Sequence, residues 1–141
     1  CGGYELDPIS VELTYGLERL CMYLQGVNSA YDLTWVDGIS YGDVFLRNER
    51  EQSAFNFEHS RPEVLFQQFT AAYDDCLRLA AQGLALPAYD QCCKCSHLFN
   101  LLDARGAISV AERAQYIKRV RDLARACAQA WVGDHEEVTR G

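Results

Sequence analysis

The stretch VELTYGLERLCMYLQG, residues 11–26, changes its period halfway along. Val11 and Leu13, with Ile9 before them, alternate with Ser10, Glu12 and Thr14, the period of two expected of a strand with one buried face. After Gly16 the apolar residues Leu17, Leu20, Cys21 and Leu24 fall at i, i+3, i+4 and i+7, one stripe of a helix that Gly26 can close. The stretch therefore predicts a strand that runs directly into a helix, with Ser10, Glu12 and Thr14 on a shared polar face and Arg19 in the first helical turn.

Such a junction has chemistry available to it. A helix start gathers amide donors without intrahelical partners and carries a partial positive charge. A guanidinium beside that end favours a phosphate group, and Glu12, just ahead of the turn, is placed to face a metal or an ammonium group on the same ligand. The residues alone leave a second reading open, in which Glu12 and Arg19 are an ordinary surface pair.

Working outward, 141 residues with 49% hydrophobic and 23% charged side chains have the composition of one globular domain. No run of about 18 apolar residues and no basic-then-apolar leader occurs, so the expectation is a soluble, cytoplasmic protein. The chain opens at Cys1 and its first element is already under way, which suggests a piece of a longer protein. Seven cysteines are an odd number, and most of them fall where helix interiors are expected, a pattern of reduced thiols rather than a disulfide framework. A net charge of −7 argues against nonspecific nucleic-acid binding by the whole surface. Between residues 113 and 125, however, Arg113, Lys118, Arg119, Arg121 and Arg125 face Asp122 alone. That helix face reads either as solvated surface or as a contact for phosphate or an acidic partner.

Further along, AYDLTW at 30–35 reads as a short second strand, and VDGIS at 36–40 as a hinge between a sheet-derived part and a helical part. Residues 41–58 predict a helix with a polar middle. Leu65, Phe69, Ala72, Cys76 and Leu79 define a cleaner amphipathic helix between Pro62 and Gly83. The next helix, near Pro87, carries Cys92, Cys95, Phe99 and Leu102 on one side. The last opens with a capping box, Ser109 and Glu112, buries Tyr116, Val120, Leu123, Cys127 and Trp131, and is expected to stop at Gly133.

The run QCCKCSH places Cys92, Cys93, Cys95 and His97 close together and invites a metal or redox reading. On a helix Cys92 and Cys95 share one face while Cys93 and His97 share another, so four ligands cannot converge from this run. We therefore expect no metal, and cysteines that pack as small apolar residues. His59 and His135 lack any nearby nucleophile pattern, and no phosphate loop or dinucleotide glycine pattern is present.

The stretch ELTYGLERLCMYLQG resembles motif 3 of class II aminoacyl-tRNA synthetases, a strand running into a helix with a glycine at the junction and an arginine in the first turn. YDLTWVDG, YGDVFLRNEREQSAFNFE, LPAYD and SHLFNLLDARGAISVAER, in that order, resemble the alpha subunit of the bacterial, two-subunit glycyl-tRNA synthetase. The resemblance implies a mostly α, α+β fragment: the last strand and motif 3 helix of a class II antiparallel sheet in residues 1–38, then a helical domain of about four helices in residues 39–141. It implies ATP-dependent activation of glycine to glycyl-adenylate and transfer to tRNA(Gly), with ATP held as its Mg²⁺ complex. Gly16 and Arg19 match the positions that bind ATP, Arg19 on the γ-phosphate and against the adenine, and Glu12 and Thr14 match the strand lining the glycine and adenylate pocket. The implied partners are a beta subunit, the tRNA and a second alpha subunit. No counterpart of motifs 1 and 2 is present, so the fragment alone is expected to be inactive. Two rival readings are a non-catalytic helical interaction module and a thiol or metal protein built on residues 92–97.

Overall fold

The computed structural model describes Gly3, Glu5 and residues 7–138, with side chains as far as residue 133. The chain is mostly helical with one small antiparallel sheet, in agreement with the sequence. Its residues gather into two compact units, one formed by residues 7–59 and one formed by the residues from Ser60 onward together with Gly3 and Glu5.

In the first unit, α1 covers Leu17–Gln25 and ends where Gly26 adopts a left-handed backbone (φ 66) and returns its amide to Met22 and Tyr23. A single 3₁₀ turn, Ala30–Asp32, follows, started by the Ser29 hydroxyl accepting from the Tyr31 amide at 3.2 Å. The strands β1 (Thr34–Val36) and β2 (Ile39–Ser40) form an antiparallel hairpin with Thr34 opposite Ser40 and Val36 opposite Ile39. Helix α2 (Tyr41–Ala54) starts on a capping box between Ser40 and Asp43 and continues into a π-helical turn, Phe55–His59. Gly42 lets the first turn of α2 lie against the 3₁₀ turn: a Cβ there would stand 2.9 Å from the Tyr31 carbonyl oxygen.

Several expectations change here. Residues 9–14 form no strand. The alternation is present, but a strand exists only with a ladder partner, and the described residues supply none. Ile9, Val11 and Leu13 are therefore left 80%, 82% and 80% exposed. The stripe on α1 is not buried either, since Leu17, Leu20 and Leu24 face solvent. Residues 30–35 divide between a 3₁₀ turn and β1, because the Ser29 cap claims the first three. The segment read as a hinge, 36–40, is a hairpin, so it joins two paired strands instead of separating two parts. Residues 39–59 belong to the same compact unit as residues 7–38.

The second unit is a bundle of α3 (Pro62–Ala81), α4 (Ala85–Ala104) and α5 (Val110–Val138). The spacing read from the sequence identifies its core: Leu65, Phe69, Ala72 and Cys76 on α3, Cys92, Cys95, Phe99 and Leu102 on α4, and Leu123 and Cys127 on α5 are buried. The Ser109–Glu112 capping box forms as expected, the Ser109 hydroxyl accepting from the Glu112 amide at 3.2 Å and the Glu112 carboxylate accepting from the Ser109 amide at 2.9 Å. Helix α5 does not stop at Gly133, which keeps a helical backbone, and it runs on to Val138. At 29 residues against 20 for each neighbour, α5 is about 14 Å longer than the helices it packs on. Trp131 lies near that longer end and is exposed, contrary to its place in the expected stripe.

Candidate functional site

The α1 start has the features an anion site requires. Gly16 is the N-cap residue with an extended backbone (φ −75, ψ 102), and no side chain caps the turn. The first intrahelical bond runs from the Leu20 amide to the Gly16 carbonyl at 3.2 Å, which leaves the amides ahead of it without helical acceptors. Glycine at the cap has no side-chain oxygen to offer those amides, so they stay available to a ligand. Arg19 folds its aliphatic stem back over the junction: a Cβ on Gly16 would lie 3.8 Å from both Cγ and Cδ of Arg19. Its side chain is exposed, and among the described residues it has no hydrogen bond or ion pair.

Glu12 and Thr14 are brought together, with the Thr14 hydroxyl donating to the Glu12 carboxylate. Both are exposed, and no Glu12–Arg19 ion pair forms among the described residues, so the surface-pair alternative is not the arrangement seen. The four residues singled out from the sequence thus fall into two pairs, Glu12 with Thr14 and Gly16 with Arg19.

Another side of α1 carries a feature the sequence did not announce. Leu17, Cys21, Leu33, Trp35, Tyr41 and Phe45 line a cavity of about 400 Å³, with Glu18 among its walls. Its aromatic rings pack on one another, Tyr41 on Phe45 at 4.5 Å and Trp35 on Phe45 at 5.4 Å between centroids. The Tyr41 hydroxyl donates to Glu18 at 3.3 Å, and partial desolvation, helped by that carboxylate, holds its proton more tightly than in an ordinary tyrosine. The signal available was the cluster of aromatic residues at 31, 35, 41 and 45, but their spacing spans a turn, a hairpin and a helix, so no single period displays it.

In the helical unit, Cys93 and His97 do lie on a different face from Cys92 and Cys95. They line a groove of about 600 Å³ between α3 and α4, whereas Cys92 and Cys95 are in the core. Among the described residues no group of three His, Cys, Asp or Glu side chains is placed to hold a metal ion. His135 lies outside the described side chains.

The basic stretch of α5 is largely occupied. Arg113 pairs with Asp103 at 2.9 Å and Lys118 with Asp122 at 2.6 Å. The Arg119 guanidinium lies over three rings, 4.7 Å from Phe69, 4.3 Å from Tyr73 and 5.4 Å from Tyr116. Arg125 is also engaged, which leaves Arg121 as the cation of the five without a partner among the described residues. The solvated-surface reading fits this face better than a phosphate contact does.

The chain belongs to the glycyl-tRNA synthetase alpha subunit family, whose model matches residues 1–136. It is thus part of a glycine–tRNA ligase, an aminoacyl-tRNA synthetase whose alpha subunit has a beta subunit and tRNA as partners. No helix among the described residues is long and apolar enough to cross a membrane.

Proposed function

We propose that this chain supplies one wall of a class II site in which glycine is activated by ATP and then passed to tRNA(Gly). The observation that carries the proposal is the uncapped α1 start, with the aliphatic stem of Arg19 lying over Gly16 and its guanidinium unpaired among the described residues. In this reading Arg19 and Gly16 bind ATP, presented as its Mg²⁺ complex, with Arg19 on the γ-phosphate. Glu12 and Thr14, already joined by a hydrogen bond, line the pocket for glycine and the adenylate. The chemistry needs no covalent enzyme intermediate; it is positioning together with charge stabilisation of the phosphates.

Residues 7–59 act in this scheme as the edge of the catalytic core, and the bundle of α3, α4 and α5 as the helical domain that holds the beta subunit or the tRNA in the cytoplasm. The exposed row of Ile9, Val11 and Leu13 supports the scheme, because its alternation suits the strand that such a core would pair and cover. A second alpha subunit completes the proposed assembly, and the chain alone does not form glycyl-adenylate. In the intact ligase, Arg19→Ala removes one charged hydrogen bond worth about 1.5–3 kcal/mol and slows ATP–pyrophosphate exchange roughly ten- to hundredfold. Exchange at the unmodified rate would remove Arg19 from the site.

A further inference from the structure

The core of the helical unit holds four thiols on three helices: Cys76 on α3, Cys92 and Cys95 on α4, and Cys127 on α5. Two of them are directed at backbone oxygens, Cys95 at the Phe69 carbonyl (3.7 Å) and Cys92 at the Val120 carbonyl (3.9 Å). The other two meet each other, Cys76 Sγ to Cys127 Sγ at 3.7 Å, and both are buried. We propose that Cys76 and Cys127 are a reversible oxidation site, at which a small-molecule disulfide such as oxidised glutathione closes a covalent link between α3 and α5.

The two sulfurs stand in van der Waals contact, and a disulfide brings them to about 2.05 Å, so closure asks for less than 2 Å of approach between side chains that already point at one another. Packing alone would be served by any small apolar residue at these positions. The step balances as thiol–disulfide exchange. A thiolate of the pair attacks one sulfur of the small disulfide, breaking its S–S bond and releasing one thiol that takes up the proton. The second cysteine then displaces the other half as a second thiol, closing the protein disulfide. Two electrons pass from the cysteine pair to the small disulfide, which leaves as two thiols.

Burial sets the rate. It holds the Cys76 thiol well above the ordinary thiol range and pushes Cys92 up to about 11, because a thiolate there would lack solvent. Exchange is therefore slow at neutral pH and speeds up as pH rises, since only the thiolate attacks.

The test is to incubate the full chain with oxidised glutathione at mildly alkaline pH and map its peptides without reduction. The expected result is a peptide pair joined through Cys76 and Cys127 and an unfolding midpoint raised by roughly 5–15 °C, both reversed by dithiothreitol. The midpoint rise should vanish in Cys76→Ala and persist in Cys92→Ala. Should either variant fail to fold, the peptide map of the unmodified sequence decides the matter. A link made through Cys92 instead, or glutathione confined to the exposed Cys21 and Cys93 with Cys76 and Cys127 still reduced, overturns the proposal.

Discussion

The two compact units spend their apolar residues in opposite ways. The helical unit faces three stripes inward and buries Phe69, Leu102 and Leu123 almost completely. Among the described residues of the 7–59 unit, Leu33 is the one buried side chain, while Leu17, Tyr23, Leu24, Trp35 and Phe55 are exposed. Both halves have clear apolar periodicity. What differs is whether the chain itself provides a facing layer, and that decides which half is held by packing and which by local hydrogen bonds and ring contacts.

Mutation separates the two regimes. Phe69→Ala leaves a cavity at the centre of the bundle and should destabilise it by about 3–5 kcal/mol, seen as a lower denaturant midpoint. Leu24→Ala, an exposed change of similar chemistry, should stay within about 0.5 kcal/mol, and a loss as large as that of Phe69→Ala would mean that α1 is packed after all. Gly42→Ala attacks the other unit through its backbone. The added methyl meets the Tyr31 carbonyl oxygen at 2.9 Å, so α2 and the 3₁₀ turn must separate, at about 1–3 kcal/mol. Hydrogen exchange should then quicken in residues 30–45 while α3 and α4 keep their protection; equal loosening in both units would show them to be one cooperative body.

The smallest effect is one the two units share, since each has a capping box at the start of a helix. Asp43 is held below the ordinary carboxylate range by hydrogen bonds from Ser40, first from its backbone and then from its hydroxyl. Glu112 is held low by Ser109, first through its hydroxyl and then through its amide. A carboxylate with a depressed folded-state pKa stabilises the folded form at neutral pH and loses that contribution as pH falls through the folded value. The first turns of α2 and α5 should therefore fray together in acid, below about pH 4, with little change above it. Amide exchange at Asp43 and Glu112 followed against pH checks this, and fraying that grows as pH rises would contradict the sign.

The legibility of each part in the sequence follows the same division. Spacings of 4, 3 and 4 located the α3 core, and the Ser109–Glu112 signature located the start of α5, because those signals are local and their partners lie in the same bundle. Residues 9–14 carried an equally clean signal that the described residues do not convert into a strand, since a ladder partner is not encoded in alternation. Gly133 misled for a different reason: glycine permits a stop without imposing one. At the candidate site, Gly16 and Arg19 were readable from a period change and one charge. The cavity walled by Trp35, Tyr41 and Phe45 was not, because its residues come together only when the turn, the hairpin and α2 fold onto α1.

Residue Gln25 closes α1 and has a further effect on the hairpin. Its side-chain amide accepts from the Thr34 amide at 2.8 Å and donates to the Thr34 carbonyl at 3.3 Å. A glutamine side chain thereby mimics the rung that a third strand would contribute. The outward edge of β1 is occupied at that rung, and a strand from another molecule would have to displace Gln25 before adding to the sheet. In a unit that exposes so much apolar surface, this blunts one route to self-association that a bare strand edge would leave open.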